Sequence, residues 1–283
     1  MNDPGSMILI ELTSKCNLNC DFCARSKIAI GQAQMQFDTL KNIAEKIKDF
    51  STICFCGMGE PFLYHKLQDA LSIFKEKNII MVSNGTVPID MELLQANNNI
   101  TTITFSVEGP SEEASKGNCR QYNFEKLLSN MKKVRLCGKA IGINFLLNEK
   151  NISYALDMID FCKEQDVSEL NVLLPLYEKR WIKNNKAKLR EVLAAMKLQG
   201  NENGISVVIP TRNLSCRFHQ EHVPVINTEG KIKPCCDYFF IIPRGVNLTE
   251  CSYEEVRQSN SFINFDMGIY CEECQKRTIS IEN

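Results

Sequence analysis

Six short apolar runs separated by helical patterns leave few architectures open to this chain. The runs are Ile8–Leu12, Ile53–Cys56, Ile79–Ser83, Ile103–Val107, Ile141–Leu147 and Leu170–Leu174. Each is a short apolar run, a candidate strand. Between them, Phe37, Leu40, Ala44 and Ile47 share one helix face, with Asp38 near the start as a cap. Leu67, Ala70, Leu71 and Phe74 form a second stripe, Phe124, Leu127, Leu128 and Met131 a third, and Ala155, Met158, Ile159 and Cys162 a fourth. Met91–Ala96 reads as a shorter helix. Strand–helix–strand repetition predicts a parallel sheet, either open or curved into a partial barrel. In both, ligands sit at the loops that follow the strands' C-terminal ends.

The rhythm changes after Leu174. Residues 175–200 read as helical and basic, with Lys179, Arg180, Lys183, Lys186, Lys188 and Arg190 forming a solvated face. From 201 to 283 the chain reads as short strands, turns and cysteines, with a hairpin formed by Val223–Asn227, the turn at Glu229 and Gly230, and Lys231–Lys233. We therefore expect a barrel unit at 7–200 and a small unit at 201–283. Residues 1–6, in MNDPGSM, read as a cloning scar before a start at Met7.

The 283 residues carry 33 Lys plus Arg against 34 Asp plus Glu, a formal net charge of -1. That leaves no basic field for nucleic acid and no polybasic tail for a membrane surface. No apolar run reaches membrane-spanning length, and no signal peptide opens the chain. A cytoplasmic protein is expected. Fourteen cysteines are then unusual. In a reducing compartment, clustered cysteines are metal ligands or catalytic thiols more often than disulfides.

The first cluster is Cys16-Asn-Leu-Asn-Cys20-Asp-Phe-Cys23, directly after the first strand. Three thiolates on one loop can wrap a single soft metal centre. Structural zinc normally closes with four ligands, so zinc would need a distant fourth, whereas an iron–sulfur cube on three cysteines keeps one iron open. Gly57-Met58-Gly59-Glu60-Pro61 follows the second strand, Ser83-Asn84-Gly85 the third, and Ser106 and Glu108 end the fourth.

These motifs together resemble the radical SAM superfamily. Its hallmark is Cys-x3-Cys-x2-Cys after the first strand, with an aromatic residue, here Phe22, before the third cysteine. The resemblance implies a partial (β/α)6 TIM barrel and a [4Fe–4S] cluster on Cys16, Cys20 and Cys23. It also implies S-adenosylmethionine (SAM) bound at the open iron and cleaved to a 5′-deoxyadenosyl radical that abstracts hydrogen from a C–H bond. Met58, Gly59, Glu60 and Pro61 resemble the Gly-Gly-Glu-Pro motif that binds the SAM amino group, with Met58 in place of the first Gly. A small residue and a carboxylate suit close passage by an ammonium. Ser83, Asn84, Ser106 and Glu108 resemble positions that touch the SAM methionine or ribose. Asn144 on the fifth strand is a further residue that could face the barrel.

A second cluster comprises Cys216, Cys235-Cys236, and Cys271-Glu-Glu-Cys274. Cys216, Cys235, Cys271 and Cys274 could close a tetrahedral zinc or a second iron–sulfur cube. Beside the first cluster, this tail resembles a Twitch domain, the half-size relative of SPASM, built from a β-hairpin plus helix. The resemblance implies an auxiliary [4Fe–4S] cluster, hence two clusters in all. Cys54, Cys56, Cys119, Cys137, Cys162 and Cys251 read mostly as core filler. Cys236 adjoins a candidate ligand, and in some epimerases resembling this layout the residue at that place donates a hydrogen atom. Arg217 and His219, beside Cys216, read as surface residues or as the lining of a substrate pocket.

Size and layout resemble the 2-deoxy-scyllo-inosamine dehydrogenase type, which implies oxidation of a small molecule such as an aminocyclitol or sugar. A chain that begins at the barrel, with no leader-peptide domain, favours a small molecule or short peptide. The alternatives are an epimerase with Cys236 as hydrogen donor, a peptide cross-linking maturase, and a zinc-binding interaction protein. An electron donor such as flavodoxin or ferredoxin is the expected partner, with no nucleic acid and no membrane.

Overall fold

The structure is a computed structural model that describes residues 6–23, 25, 31–175, 178–209, 219, 221–236 and 245–269. Seven strands run parallel in chain order: β1 (Met7–Ile10), β2 (Thr52–Phe55), β3 (Asn78–Ser83), β4 (Ile100–Ser106), β5 (Ala140–Leu146), β6 (Glu169–Leu173) and β7 (Ser206–Val208). The crossovers are α1 (Phe37–Lys46), α2 (Leu67–Ile73), α3 (Met91–Ala96), α4 (Glu112–Lys116) with α5 (Phe124–Leu136), α6 (Asp157–Glu164), and α7 (Lys179–Asn184) with α8 (Lys186–Glu202). The C-terminal part contributes β8 (Val225–Ile226), β9 (Lys231–Lys233), β10 (Val246–Asn247), α9 (Tyr253–Arg257) and α10 (Asn260–Asp266).

Alternation along the strands builds two faces. Ile8, Ile10, Ile53, Phe55, Ile79, Met81, Ile103, Phe105, Ile141 and Ile143 are buried in one core with Leu40, Ile43, Leu71, Leu127, Met131 and Met158 from the helices. Leu9 and Cys54 point the other way, to the concave face, and pack with Val223 and Val225. A period of two in the strands and 3.6 in the helices is what sorts the residues so. The result is the α/β partial barrel that the sequence predicts, with β10 and β7 as the two edges of one ten-stranded sheet.

Two features go beyond the sequence reading. A seventh parallel strand, β7, pairs with β6 beyond residue 200. It is only three residues long, too short to stand out as a periodic run. The hairpin β8–β9 forms where expected, with Gly230 at φ +79 in its turn. It does not stand apart, because β8 pairs parallel with β1 through Leu9↔Val225 and Ile10↔Ile226. The sheet is therefore continuous from the barrel into the C-terminal region. The six basic residues at 179–190 are all exposed, as a solvated face requires.

The loop after β3 is held from behind by Asn130 on α5. Its Nδ2 donates to the carbonyls of Gly85 and Val87 at 2.8 Å each, and its Oδ1 accepts from Ile89 N at 3.0 Å. Asn130 is buried, so truncation leaves backbone groups without partners. Asn130→Ala should cost about 2–4 kcal/mol. Urea denaturation of the metal-free protein checks this; a cost below about 1 kcal/mol would mean that the loop is held by other contacts.

Candidate active site

Strand β1 ends at Ile10, and Glu11 opens the loop that carries the three cysteines. The loop is tied to the returning chain at residues 31–35. Thr13 Oγ1 donates to Ala33 O at 2.9 Å, Ser14 Oγ donates to Gly31 O at 2.6 Å, and Met35 N donates to Leu12 O at 2.8 Å. Arg25 crosses underneath, its Nη2 donating to Leu18 O at 2.5 Å. Asn17 Nδ2 donates to Thr86 Oγ1 at 2.8 Å, which joins the loop to the one after β3.

The turn after β2 docks on this loop. A Cβ at Gly59 would sit 2.1 Å from Thr13 O and 2.6 Å from Lys15 O, so no side chain fits. Glu60 N donates to Lys15 O at 2.8 Å. A Cβ at Gly57 would overlap Glu11, with its Cγ at 2.4 Å. The sequence reading assigned the small residue to close passage by a ligand; the contacts inside the chain already require it. Met58 N donates to Glu11 Oε1 at 2.7 Å.

Glu60 is buried with three donors around its carboxylate. Ser83 Oγ donates to Oε1 at 2.9 Å, Phe62 N to Oε1 at 3.2 Å and Asn84 N to Oε2 at 2.7 Å. Burial nevertheless wins over these bonds and pushes its pKa up to about 7. Asn84 also reaches the cysteine loop, with Nδ2 2.9 Å from Asn17 Oδ1 and 3.6 Å from Cys16 Sγ. Glu60, Ser83, Asn84 and Cys16 are thus brought into one network. Pro61 is buried at the start of the short 3-10 turn Pro61–Leu63. Phe22 is half-buried on the cysteine loop.

Ser106 and Glu108 lie farther along the mouth and make no hydrogen bond to Glu60. Ser106 is the register partner of Asn144 on β5, so both face the concave side. Glu108 is buried and accepts from Leu146 N at 3.2 Å, and burial raises its pKa to about 8. Tyr122 Oη donates to Ser106 O at 3.0 Å.

Cys16, Cys20 and Cys23 are in no disulfide, and each is half-buried. Among the described residues no three Cys, His, Asp or Glu side chains converge on a point that could hold a metal ion. The backbone therefore brings the three sulfurs to one loop without gathering them. The donor set still fits an iron–sulfur cluster: three soft thiol donors after β1, beside a turn made narrow by two glycines. Cys235 and Cys236 pack against Leu9, Cys54, Val223 and Val225 on the concave face, next to Cys56. Cys216, Arg217, Cys271 and Cys274 lie outside the described residues. His219 contacts α10, with Nε2 3.2 Å from Phe265 O.

Sequence reasoning missed Glu11. Its carboxylate accepts from Met58 N and from the backbone of Thr228 in the β8–β9 turn, and burial raises its pKa to about 7. The signal was a lone acid inside the apolar run MILIEL. Glu11, Glu60 and Glu108 all have folded pKa values above 4.5. Raised values favour the protonated folded form, so this stability is full below the unfolded value near 4.5. It is lost as pH rises through about 7 to 8, at roughly 3 to 5 kcal/mol per group. The melting temperature of the metal-free protein should therefore fall between about pH 5 and pH 8.5. Glu60→Gln should flatten that fall; an equally steep fall in the variant would remove Glu60 as a source.

The sequence model of the Radical SAM superfamily matches residues 10–162. The tungsten-containing aldehyde ferredoxin oxidoreductase cofactor-modifying protein of Pyrococcus furiosus is 22% identical over 289 residues, covering 89% of this chain and 78% of its own. Streptococcus suis SuiB bound to its precursor peptide SuiA superposes with a TM-score of 0.77 at 16% identity, covering 98% of this chain and 71% of SuiB. BtrN in complex with AdoMet and 2-DOIA superposes at 0.54 and 16% identity, covering 100% of this chain and 94% of BtrN. The expected likeness to the dehydrogenase layout is therefore distant and concerns the fold. With a family match over more than half its length, a parallel partial barrel and three cysteines on the loop after β1, the chain belongs to the radical SAM superfamily, whose cofactors are SAM and a [4Fe–4S] cluster.

Proposed function

We propose that this enzyme abstracts a hydrogen atom from a C–H bond of a small molecule or short peptide held on the concave face, and that the outcome is dehydrogenation. The observation that carries the first step is the network of Glu60, Ser83, Asn84 and Cys16. It sets a buried carboxylate beside a three-thiol loop. In this reading Cys16, Cys20 and Cys23 hold the cluster and Glu60 receives the SAM ammonium. Met58, Gly59 and Pro61 shape the turn that presents Glu60, Phe22 borders the cluster, and Ser83, Asn84, Ser106 and Glu108 border SAM. When bound, the cluster and SAM supply a carbon-centred radical able to take hydrogen from an unactivated C–H bond. Glu60 starts with its pKa near 7, and an ammonium beside it favours the ionised form. Binding of SAM should therefore draw a proton off this group at neutral pH.

Dehydrogenation needs an electron acceptor near the substrate. Cys235 would hold an auxiliary [4Fe–4S] cluster with Cys216, Cys271 and Cys274, and that group would supply the acceptor. Support comes from Cys235 packing on the concave face. The substrate is an aminocyclitol or sugar, as the layout resemblance implies, or a peptide, like the precursor peptide SuiA bound by SuiB. A flavodoxin- or ferredoxin-type donor would supply the first electron. Among the described residues no helix is long and apolar enough to cross a membrane.

Anaerobically purified protein should hold about eight irons per chain, from two four-iron clusters. Changing Cys16, Cys20 and Cys23 together to Ala should remove about half of that iron and all SAM cleavage. Unchanged iron in that variant would refute the assignment, and zinc without iron in the wild type would favour a zinc-binding protein.

One observation favours a second reading, epimerisation. Cys236 packs on the same concave face, beside Cys54 and Cys56, where a thiol could return hydrogen to a substrate radical. An S–H bond is weak and its hydrogen exchanges with solvent. Under dehydrogenation, Cys236→Ser should keep turnover, and the product should be two mass units lighter without solvent deuterium on carbon. Under epimerisation, the same variant should lose turnover, and wild-type product should gain one deuterium from heavy water. Mass spectrometry of the product in heavy water separates the two; solvent deuterium together with an inactive Cys236→Ser variant would overturn dehydrogenation. A peptide cross-link would share the two-unit loss but leave a bond between two side chains in fragment spectra.

A further inference from the structure

Glu11 stands where two segments of the chain meet the end of β1. On one side lies the turn after β2. Met58 N donates to Glu11 Oε1 at 2.7 Å, and a Cβ at Gly57 would sit 2.8 Å from the Glu11 Cβ. On the other side lies β8. Glu11 N donates to Ile226 O at 2.8 Å, and two residues earlier Leu9 N donates to Pro224 O at 2.9 Å. One residue thus holds the Gly57–Pro61 turn with its side chain and the C-terminal hairpin with its main chain. Glu11 is only 4% exposed.

The hairpin is the weaker of these two neighbours. β8 has two residues and β9 has three, and a hairpin of that size is marginal in water unless it packs on something. It docks on β1 through the two main-chain bonds just named. Its turn carries Gly230 at φ +79, where a Cβ would sit 3.1 Å from Thr249 Cγ2 and 3.2 Å from Thr39 Cγ2 on α1. Segments held by so few bonds are the ones that open locally. While β8 is docked, the bond between Glu11 and Met58 is kept from water, which strengthens it. When β8 leaves, Glu11 N loses its acceptor and water competes for the carboxylate.

We propose that Glu11 is a positioning residue that couples docking of the β8–β9 hairpin to the hold on the Gly57–Pro61 turn, so that the turn binds SAM tightly only while the C-terminal chain is seated. The inference rests on the reading of that turn as part of the SAM site. Coupling of this kind is reciprocal, so SAM holds the hairpin down by the same factor. The hairpin ends at Lys233, two residues before Cys235. The same link therefore makes full SAM affinity wait until the segment carrying Cys235 and Cys236 is in place.

The test is a double-mutant cycle on the reconstituted full chain with two readouts. Gly230→Val puts a β-branched side chain at a left-handed position of the hairpin turn and loosens the hairpin without touching the Gly57–Pro61 turn. Glu11→Ala removes the link. The first readout is hydrogen exchange followed by mass spectrometry, without SAM, in peptides covering Met58. Gly230→Val should speed exchange there about tenfold, while β4 and β5 stay protected. Added to Glu11→Ala, it should change that exchange by less than about twofold. The second readout is SAM affinity by equilibrium dialysis. Gly230→Val alone should weaken it about tenfold, and by less than about twofold beside Glu11→Ala. A Glu11 that only filled space would give additive effects in both readouts. Additive effects, or unchanged exchange at Met58 in Gly230→Val although residues 225–233 exchange faster, would overturn the inference. Should Glu11→Ala fail to fold, exchange at Met58 in Gly230→Val decides alone. Coupled exchange in a wild-type chain that binds no SAM would instead bring down the reading of the turn as a SAM site.

Discussion

The site depends on one close approach, that of Gly59 to the carbonyls of Thr13 and Lys15. Two loops from neighbouring strands meet there without a side chain between them. The meeting puts Glu60 N on Lys15 O and turns the Glu60 carboxylate toward Ser83 and Asn84. Any larger residue would push the turn outward and pull the carboxylate away from the thiol loop. Asn84 then closes the ring by reaching Asn17 and Cys16. The geometry is thus set by backbone contact between the loops after β1 and β2 and carried to β3 by the side chains of Glu60 and Asn84.

Burial gives this network its chemical character. Three carboxyls at the mouth are removed from water with no basic side chain among the described residues beside them to favour the charged form, and burial dominates each. Such groups hold their protons near neutral pH and release them when a cation arrives. Their place in the fold differs. Glu60 faces the ligand loop, Glu108 the mouth between β4 and β5, and Glu11 ties the turn after β2 to the C-terminal hairpin. That last link means the returning C-terminal chain and the Gly57–Pro61 turn share one carboxylate.

The concave face carries the rest. Leu9, Cys54 and Val225 give it an apolar floor, and Cys235 and Cys236 pack on it. Because β8 joins the sheet at β1, the segment with those two cysteines is delivered over the barrel by main-chain pairing. A thiol and a candidate cluster ligand are therefore neighbours on the surface where a substrate would lie. The same adjacency makes both outcomes of the radical chemistry plausible and ties their separation to a single side chain.

The sequence by itself determined the layout of the barrel and the motifs at its mouth. Strand and helix periods sort apolar residues locally, so β1 to β6 and the stripes on α1, α2, α5 and α6 are legible without knowing what packs on them. Cys16, Cys20, Cys23 and Glu60 could be singled out because spacing within a loop is a local property. Strand β7 could not, since three residues carry no period. The parallel pairing of β8 with β1, the reason for Gly59, the ring of donors around Glu60, and the role of Glu11 were decided by tertiary structure alone. Each depends on residues far apart in the chain, and long-range contact, unlike periodicity or spacing, leaves no mark on the local sequence.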